Sequence, residues 1–194
     1  WYTTNATDPR CKIAIFMGKT DPDNADRHRQ QSMILVPMDA PGVKVLRPLP
    51  VFGFYGMPDR ASEVIFENVR VPVDNRLGEE NMGFRYLMQE LAQERLVVAV
   101  RAAASIETFL QKTIDYTRER KAFGQTVFEF QNTRFTLARQ ATDIAASRAF
   151  LNACIAAYQH GELTPEAVSA LKLHTTELFS RVADACLQLF GGYG

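Results

Sequence analysis

The hydrophobic period of this chain changes once, and that single change limits the folds open to it. Up to about residue 71, apolar residues come in short runs rich in Val, Ile and Phe, bounded by Gly and Pro. Cys11–Met17 is closed by Gly18, Ser32–Val36 by Pro37, and Ser62–Val71 by Pro72, while Val43–Arg47 follows the Pro41-Gly42 turn. Runs of this length and composition predict strands. The unbroken apolar stretch Ser32–Val36 predicts a strand buried on both faces. The polar stretch 19–31 predicts a hairpin-type loop, and the Gly-, Phe-, Tyr- and Pro-bearing stretch 50–60 an irregular segment. Four or five strands joined by turns make a small antiparallel β-barrel or sandwich.

Residues 72–83, with Pro, Asp-Asn, two Gly and a Glu pair, form a seam. Beyond it the period is about 3.6 and stays there. Phe84, Leu87, Met88 and Leu91 mark a first helix, and Ala103, Ile106, Phe109, Leu110, Thr113 and Tyr116 its continuation or successor, stopped by Gly124. A further stripe runs from Phe130 to Tyr158 and stops at Gly161. The last opens with Thr164-Pro165-Glu166, a capping residue before a proline at the first helical position, and ends at Gly191. Long amphipathic helices with short connections make an antiparallel bundle. The expected class is α+β: a β domain over residues 1–80, then a four-helix bundle over 81–194.

Composition excludes several functions. A length of 194 residues suits one large domain or two small ones. Lys+Arg and Asp+Glu are both 22, so the basic footprint of a nucleic-acid binder is missing. Arg27-His28-Arg29, the one dense basic spot, sits among Asp, Asn and Gln and reads as a solvated loop. No apolar run reaches the ~18–20 residues of a membrane span. Cys11, Cys154 and Cys186 form no CxxC pair, and the latter two read as small buried hydrophobes. The chain begins at Trp1 and stops directly after a helix, so both ends are expected to be cut from something longer.

Four features carry candidate chemistry. Extending the first helical stripe 84, 87, 88, 91 reaches 94, 95 and 98, where Glu94 and Arg95 fall on a face that should be buried. Neighbours in sequence do not face each other on a helix, and one turn back stands Glu90, a like charge. A carboxylate so placed is expected to have a raised pKa, as a general base does; the alternative is a structural ion pair with another helix. Second, Arg118–Gly124 sets cations at a helix end beside an aromatic and a glycine. That arrangement serves as a plain C-terminal stop, or as a grip on a pyrophosphate with a ring to stack on. Third, Gln188–Gly194 offers an amide and paired glycines, either a stop or a close approach to a phosphate. Fourth, Trp1 and Thr3 share one strand face, which can flank a planar cofactor or be an ordinary strand face.

Together, in this order, these segments resemble the acyl-CoA dehydrogenase family. Trp1-Tyr2-Thr3 resembles its W-I-T strand. Phe66–Glu79 resembles the F-E-x-V-x-V-P-x-x-N-x-L-G-E signature, followed by Gly83-Phe84 of G-x-G-F. Arg120–Gly124 resembles R-x-x-F-G, Phe130-Gln131 the F/H-Q that follows, and Gln188–Gly194 Q-x-x-G-G-x-G. The resemblance implies a β middle domain and a C-terminal four-helix bundle with FAD between them. Trp1 and Thr3 would face the flavin ring, with Thr3 near its N5 edge. Arg120, Phe123, Gln131, Gln188, Gly191 and Gly192 would bind the FAD pyrophosphate and adenosine, across the interface of a homodimer or homotetramer. Leu91, Ala92 and Arg95 would line the acyl-CoA pocket.

The reaction implied is α,β-dehydrogenation of an acyl-CoA thioester, with electrons passing to an electron-transfer flavoprotein. Most members of the family carry the base in an E-G-T motif beyond Gly194, whereas the long-chain and isovaleryl types carry it on the first bundle helix before an arginine; Leu91-Ala-Gln-Glu-Arg-Leu96 resembles the latter, and in that alternative Glu94 is the catalytic base. The compartment implied is the bacterial cytoplasm or the mitochondrial matrix. A non-catalytic assembly protein of the same fold, an acyl-CoA oxidase or a DNA-damage-response relative are the alternatives.

Overall fold

The structure, a computed structural model, describes residues 1–50 and 61–194. The segment expected to be irregular, 50–60, lies outside the described residues apart from Pro50. The chain divides into two compact units, Trp1–Gln89 and Glu90–Gly194.

The first unit is built from two three-stranded antiparallel sheets. One has the order β1 (Tyr2–Thr4), β5 (Ala61–Phe66), β4 (Val43–Leu49); the other β2 (Ile13–Lys19), β3 (Gln31–Pro37), β6 (Arg76–Leu77). β2 and β3 are the expected hairpin, in register from Ile13 opposite Pro37 to Lys19 opposite Gln31. Within its loop Asp26 accepts the His28 N–H and so caps the short turn Arg27–Arg29. Met33, Val36 and Val64 are buried, and Phe16 on β2 meets Phe66 on β5 at 5.1 Å, so the apolar faces of the two sheets meet. β3 is only partly buried on both faces, since Ile34 and Leu35 remain half-exposed.

The expected strand 62–71 stops at Phe66. Asn68 takes φ 52°, a left-handed turn, and the chain leaves the sheet. The seam that follows is well bonded: Asn75 donates to the Leu35 carbonyl, and the Asn81 N–H donates to the buried Ser32 hydroxyl, which also meets the Thr20 hydroxyl.

The second unit holds α1 (Gly83–Glu119, whose first turns belong to the first unit), a small hairpin of β7 (Lys121–Ala122) and β8 (Gln125–Thr126), α2 (Gln131–Gln159) and α3 (Pro165–Phe190). Among the described residues there are three long helices where four were expected. No glycine or proline stands between Phe84 and Glu119, so nothing breaks the two predicted segments apart and they form one helix. Thr164 caps α3 by accepting the Ala167 N–H, with Pro165 at the first position as predicted.

The core of this unit lies in two clusters. Leu96, Ala99, Ala103, Leu151, Cys154, Val168 and Leu171 make the first, and Ile106, Ile144, Leu178, Val182 and Cys186 the second. Each fully buried Leu or Ile in them contributes about 2 kcal/mol. Both cysteines expected in the interior are there, and burial pushes the Cys154 thiol up from its ordinary pKa.

Candidate active site

Four of the residues assigned to cofactor binding meet where α1 and α3 end, with Gln188 one turn earlier on α3. Arg120 directly follows α1; its N–H donates to the Tyr116 carbonyl and its own carbonyl accepts from Val127, both at 2.8 Å. The hairpin that follows turns at Phe123-Gly124, with φ of 53° and 83°. A left-handed conformation is ordinary for Gly124 and strained for a bulky aromatic. Phe123 is also 98% exposed, so it buries almost no surface inside the chain to compensate that strain. Strain without local benefit is a mark of residues held for contact with something else.

Thr126 and Glu129 close this hairpin as a capping box. The Thr126 hydroxyl and N–H both donate to the Glu129 carboxylate, at 2.8 and 2.6 Å, and hold it below its ordinary pKa. Gln131 then opens α2 and is exposed. Phe130, one residue earlier, sits edge-on to Phe123 at 6.5 Å.

From the other helix, Tyr116 stacks on Phe190 at 4.2 Å, and its hydroxyl donates to the Phe190 carbonyl. Gly191 turns the chain with φ 62°, and Tyr193 brings its ring over the Arg120 guanidinium, 5.8 Å from centroid to Cζ. A Cβ built on Gly191 or Gly192 meets nothing within 4 Å. Gln188, one turn before, is exposed. Among the described residues no carboxylate, carbonyl or hydroxyl accepts from the Arg120 side chain. An unpaired guanidinium, an open glycine pair and a bare aromatic ring suit a pyrophosphate joined to a flat heterocycle.

Glu94 stands elsewhere on α1, and here the structure corrects the sequence. It was expected to be sheltered; it is exposed, and with Glu90, Gln93 and Val97 it lines a shallow open pocket. The reason is that α1 carries two apolar rows. The row that packs inside the unit runs through Leu96, Ala99, Ala103 and Ile106, and Glu94 lies roughly half a turn round the helix from Leu96. Leu87, Met88, Val97 and Val98 are exposed with it. Ala92 packs against the first core cluster, Leu91 is half-buried, and Arg95 is half-buried and donates to the Ser169 hydroxyl at 3.1 Å.

Trp1 and Thr3 belong to the first unit. Thr3 lies opposite Ser62 in the β1–β5 ladder, and Trp1 exchanges hydrogen bonds with Val64. The indole meets Phe16 edge-on at 5.5 Å and is 69% exposed.

The family model for the acyl-CoA dehydrogenase C-terminal domain matches residues 81–194, which takes in α1, the hairpin, α2, α3 and the glycine turn. The chain belongs to the acyl-CoA dehydrogenase family. It is 37% identical over its whole length to the Mycobacterium tuberculosis protein FadE2, whose name gives it as a probable acyl-CoA dehydrogenase, and spans 48% of that protein. To the mitochondrial long-chain specific acyl-CoA dehydrogenase of rat it is 44% identical over 133 residues, 69% of this chain and 31% of the rat protein. Among solved structures, an acyl-CoA dehydrogenase from Geobacillus kaustophilus superposes with a TM-score of 0.91 at 39% identity, covering 98% of this chain and 49% of the other. The chain therefore spans about half the length of the first two full-length matches.

Three residues of this cluster escaped sequence reasoning: Tyr116, Phe190 and Tyr193. Tyr116 was counted only as part of a helical stripe. Tyr193 lay inside a recognised motif, and an aromatic directly after two glycines was the available signal. Among the described residues no group of His, Cys, Asp and Glu could hold a metal ion, and no helix is long and apolar enough to cross a membrane.

Proposed function

We propose that this chain supplies the flavin- and thioester-facing part of an FAD-dependent acyl-CoA dehydrogenase. The observation that carries the reading is the convergence of Arg120, Phe123, Gly191 and Gly192 at one end of the helical unit, with the guanidinium free and the glycines open. In this reading Arg120 pairs with the FAD pyrophosphate. Gly191 and Gly192 let the backbone approach it, Gln188 and Gln131 hydrogen-bond to it or to the adenosine, and Phe123 offers a ring face. Because the whole cluster is exposed, it suits FAD held against a second copy in a homodimer or homotetramer. Trp1 and Thr3 flank the flavin ring.

Glu94 acts as the base. Its carboxylate takes the proton from the carbon next to the thioester carbonyl, and Arg95 and Leu91 orient the acyl chain. FAD, when bound, would supply the acceptor for the β hydrogen as hydride. The electron acceptor this reading implies is an electron-transfer flavoprotein. The 44% identity with the rat long-chain enzyme supports a fatty-acyl thioester. A bacterial relative and a mitochondrial one support either compartment.

The test is anaerobic flavin bleaching in the full-length protein. Glu94→Gln keeps the yellow FAD complex and fails to bleach on addition of acyl-CoA. Bleaching of that variant at the wild-type rate removes Glu94 from the mechanism.

A further inference from the structure

The ends of α1 and α3 are joined by two rungs. The inner rung is the Tyr116–Phe190 stack, nearly parallel at 16° and tied by a hydrogen bond. One helical turn further along α1, and three residues further along the other strand of chain, the outer rung is Arg120 under the ring of Tyr193. The inner rung is half-buried and fixes the two chain segments; the outer rung is exposed.

An arginine held by a carboxylate would have its charge compensated and its donor fork occupied by that partner. An aromatic ring holds the guanidinium by its π face and leaves the in-plane N–H groups free. We infer that Tyr193 is a positioning residue that holds Arg120 in the orientation needed to receive the FAD pyrophosphate. The inference rests on the reading of Arg120 given above. It adds a role for a residue that touches the cofactor only through another. Tyr193 is 79% exposed, and the turn that carries it contains the open Gly191-Gly192 pair. Ring and glycines are thus delivered by one short turn, Gly191–Tyr193.

The experiment measures the FAD dissociation constant of the full-length apoprotein by quenching of flavin fluorescence, for wild type, Tyr193→Phe, Tyr193→Leu, Arg120→Ala and the double variant. Tyr193→Leu should weaken FAD about three- to five-fold, the size of an exposed cation–π contact. Tyr193→Phe keeps the ring and should bind as wild type. In the Arg120→Ala background, Tyr193→Leu should change nothing further. Melting temperatures of the same proteins check folding, and Tyr193→Met gives a second ring-less replacement should Tyr193→Leu be unstable.

Wild-type affinity in both ring-less variants, a Phe variant as weak as the Leu variant, or effects of Arg120 and Tyr193 that multiply would each overturn the inference. Wild-type affinity in Arg120→Ala sinks the underlying reading of Arg120 instead, and this inference with it.

Discussion

Arg148 on α2 grips Glu107 on α1 with two parallel hydrogen bonds, from Nε at 2.7 Å and from Nη2 at 2.5 Å. It is the bidentate form of an arginine–carboxylate pair, and it joins two helices 41 residues apart in sequence. Both side chains keep over a third of their surface in water, so solvent screening reduces the contribution. Arg148→Met should cost about 1 kcal/mol. Urea unfolding reads this as a lower midpoint with an unchanged slope, and the difference should shrink at 1 M salt. An Arg148→Met midpoint equal to wild type at low salt would show the pair to be geometrically neat and energetically idle.

Ser147 tells the opposite story. It is fully buried on α2, between Ile144 of one core cluster and Leu151 of the other, and its hydroxyl has no partner among the described residues. Thr113, Thr117 and Thr175, also buried, each return a hydrogen bond to a carbonyl one turn back. A buried hydroxyl without a partner costs roughly 1–3 kcal/mol of desolvation, so Ser147→Ala should stabilise the helical unit by about 1 kcal/mol. A chemical denaturation curve that moves to lower urea in this variant means that the hydroxyl is satisfied after all.

Much of the fold was legible because it is local. The β2–β3 hairpin follows from two apolar runs around a polar loop, and the start of α3 from Thr164-Pro165. The Phe66–Glu79 signature could be recognised but not explained from sequence. Its work is to leave the sheet at Asn68 and bond Asn75 back to β3, contacts between residues about 40 apart. The shelter expected for Glu94 was misjudged for a related reason. Two apolar rows on one long helix look alike in sequence, and only the packing of α2 and α3 selects the row through Leu96 as the inner one. In the candidate site, Arg120, Phe123 and the glycines were legible as motifs. The Tyr116–Phe190 and Arg120–Tyr193 rungs were not, because they join helix ends 74 and 73 residues apart.

Acid stability of the first unit should depend on Asp8. Its carboxylate is buried and receives the Arg10 side chain, at 3.0 Å from Nε and 2.6 Å from Nη2, as well as the Arg10 backbone N–H. Those bonds hold its pKa down at about 2. An unfolded aspartate titrates near 4, so the folded state binds fewer protons in the interval between. The contribution to stability is therefore whole above about pH 4 and disappears as pH falls from there towards 2. In Asp8→Asn this part of the pH dependence vanishes. Glu67, lowered by Lys44, and Glu129, lowered by Thr126, supply a remainder of the same sign. Thermal unfolding followed from pH 6 to pH 2 checks the point: parallel curves for the two proteins would mean that Asp8 and Arg10 do not pair in solution.

Gly191 and Gly192 are neighbours with different reasons to be glycine. Gly191 has φ 62°, and any side chain there is strained whatever the space around it. Gly191→Ala should cost roughly 1–3 kcal/mol of stability, because φ 62° with ψ −132° is open to little but glycine. Gly192 has no left-handed φ, and a Cβ on it meets nothing within 4 Å, so the chain's own fold does not require glycine there. Gly192→Ala should leave the melting temperature unchanged and still weaken FAD, because the added methyl fills space that the pyrophosphate would approach. The pair separates a glycine that the backbone conformation itself requires from one that only the approach of a ligand requires. Equal FAD affinity in wild type and Gly192→Ala, measured on the full-length apoprotein, would place the phosphates away from this turn and leave Arg120 without its expected neighbour.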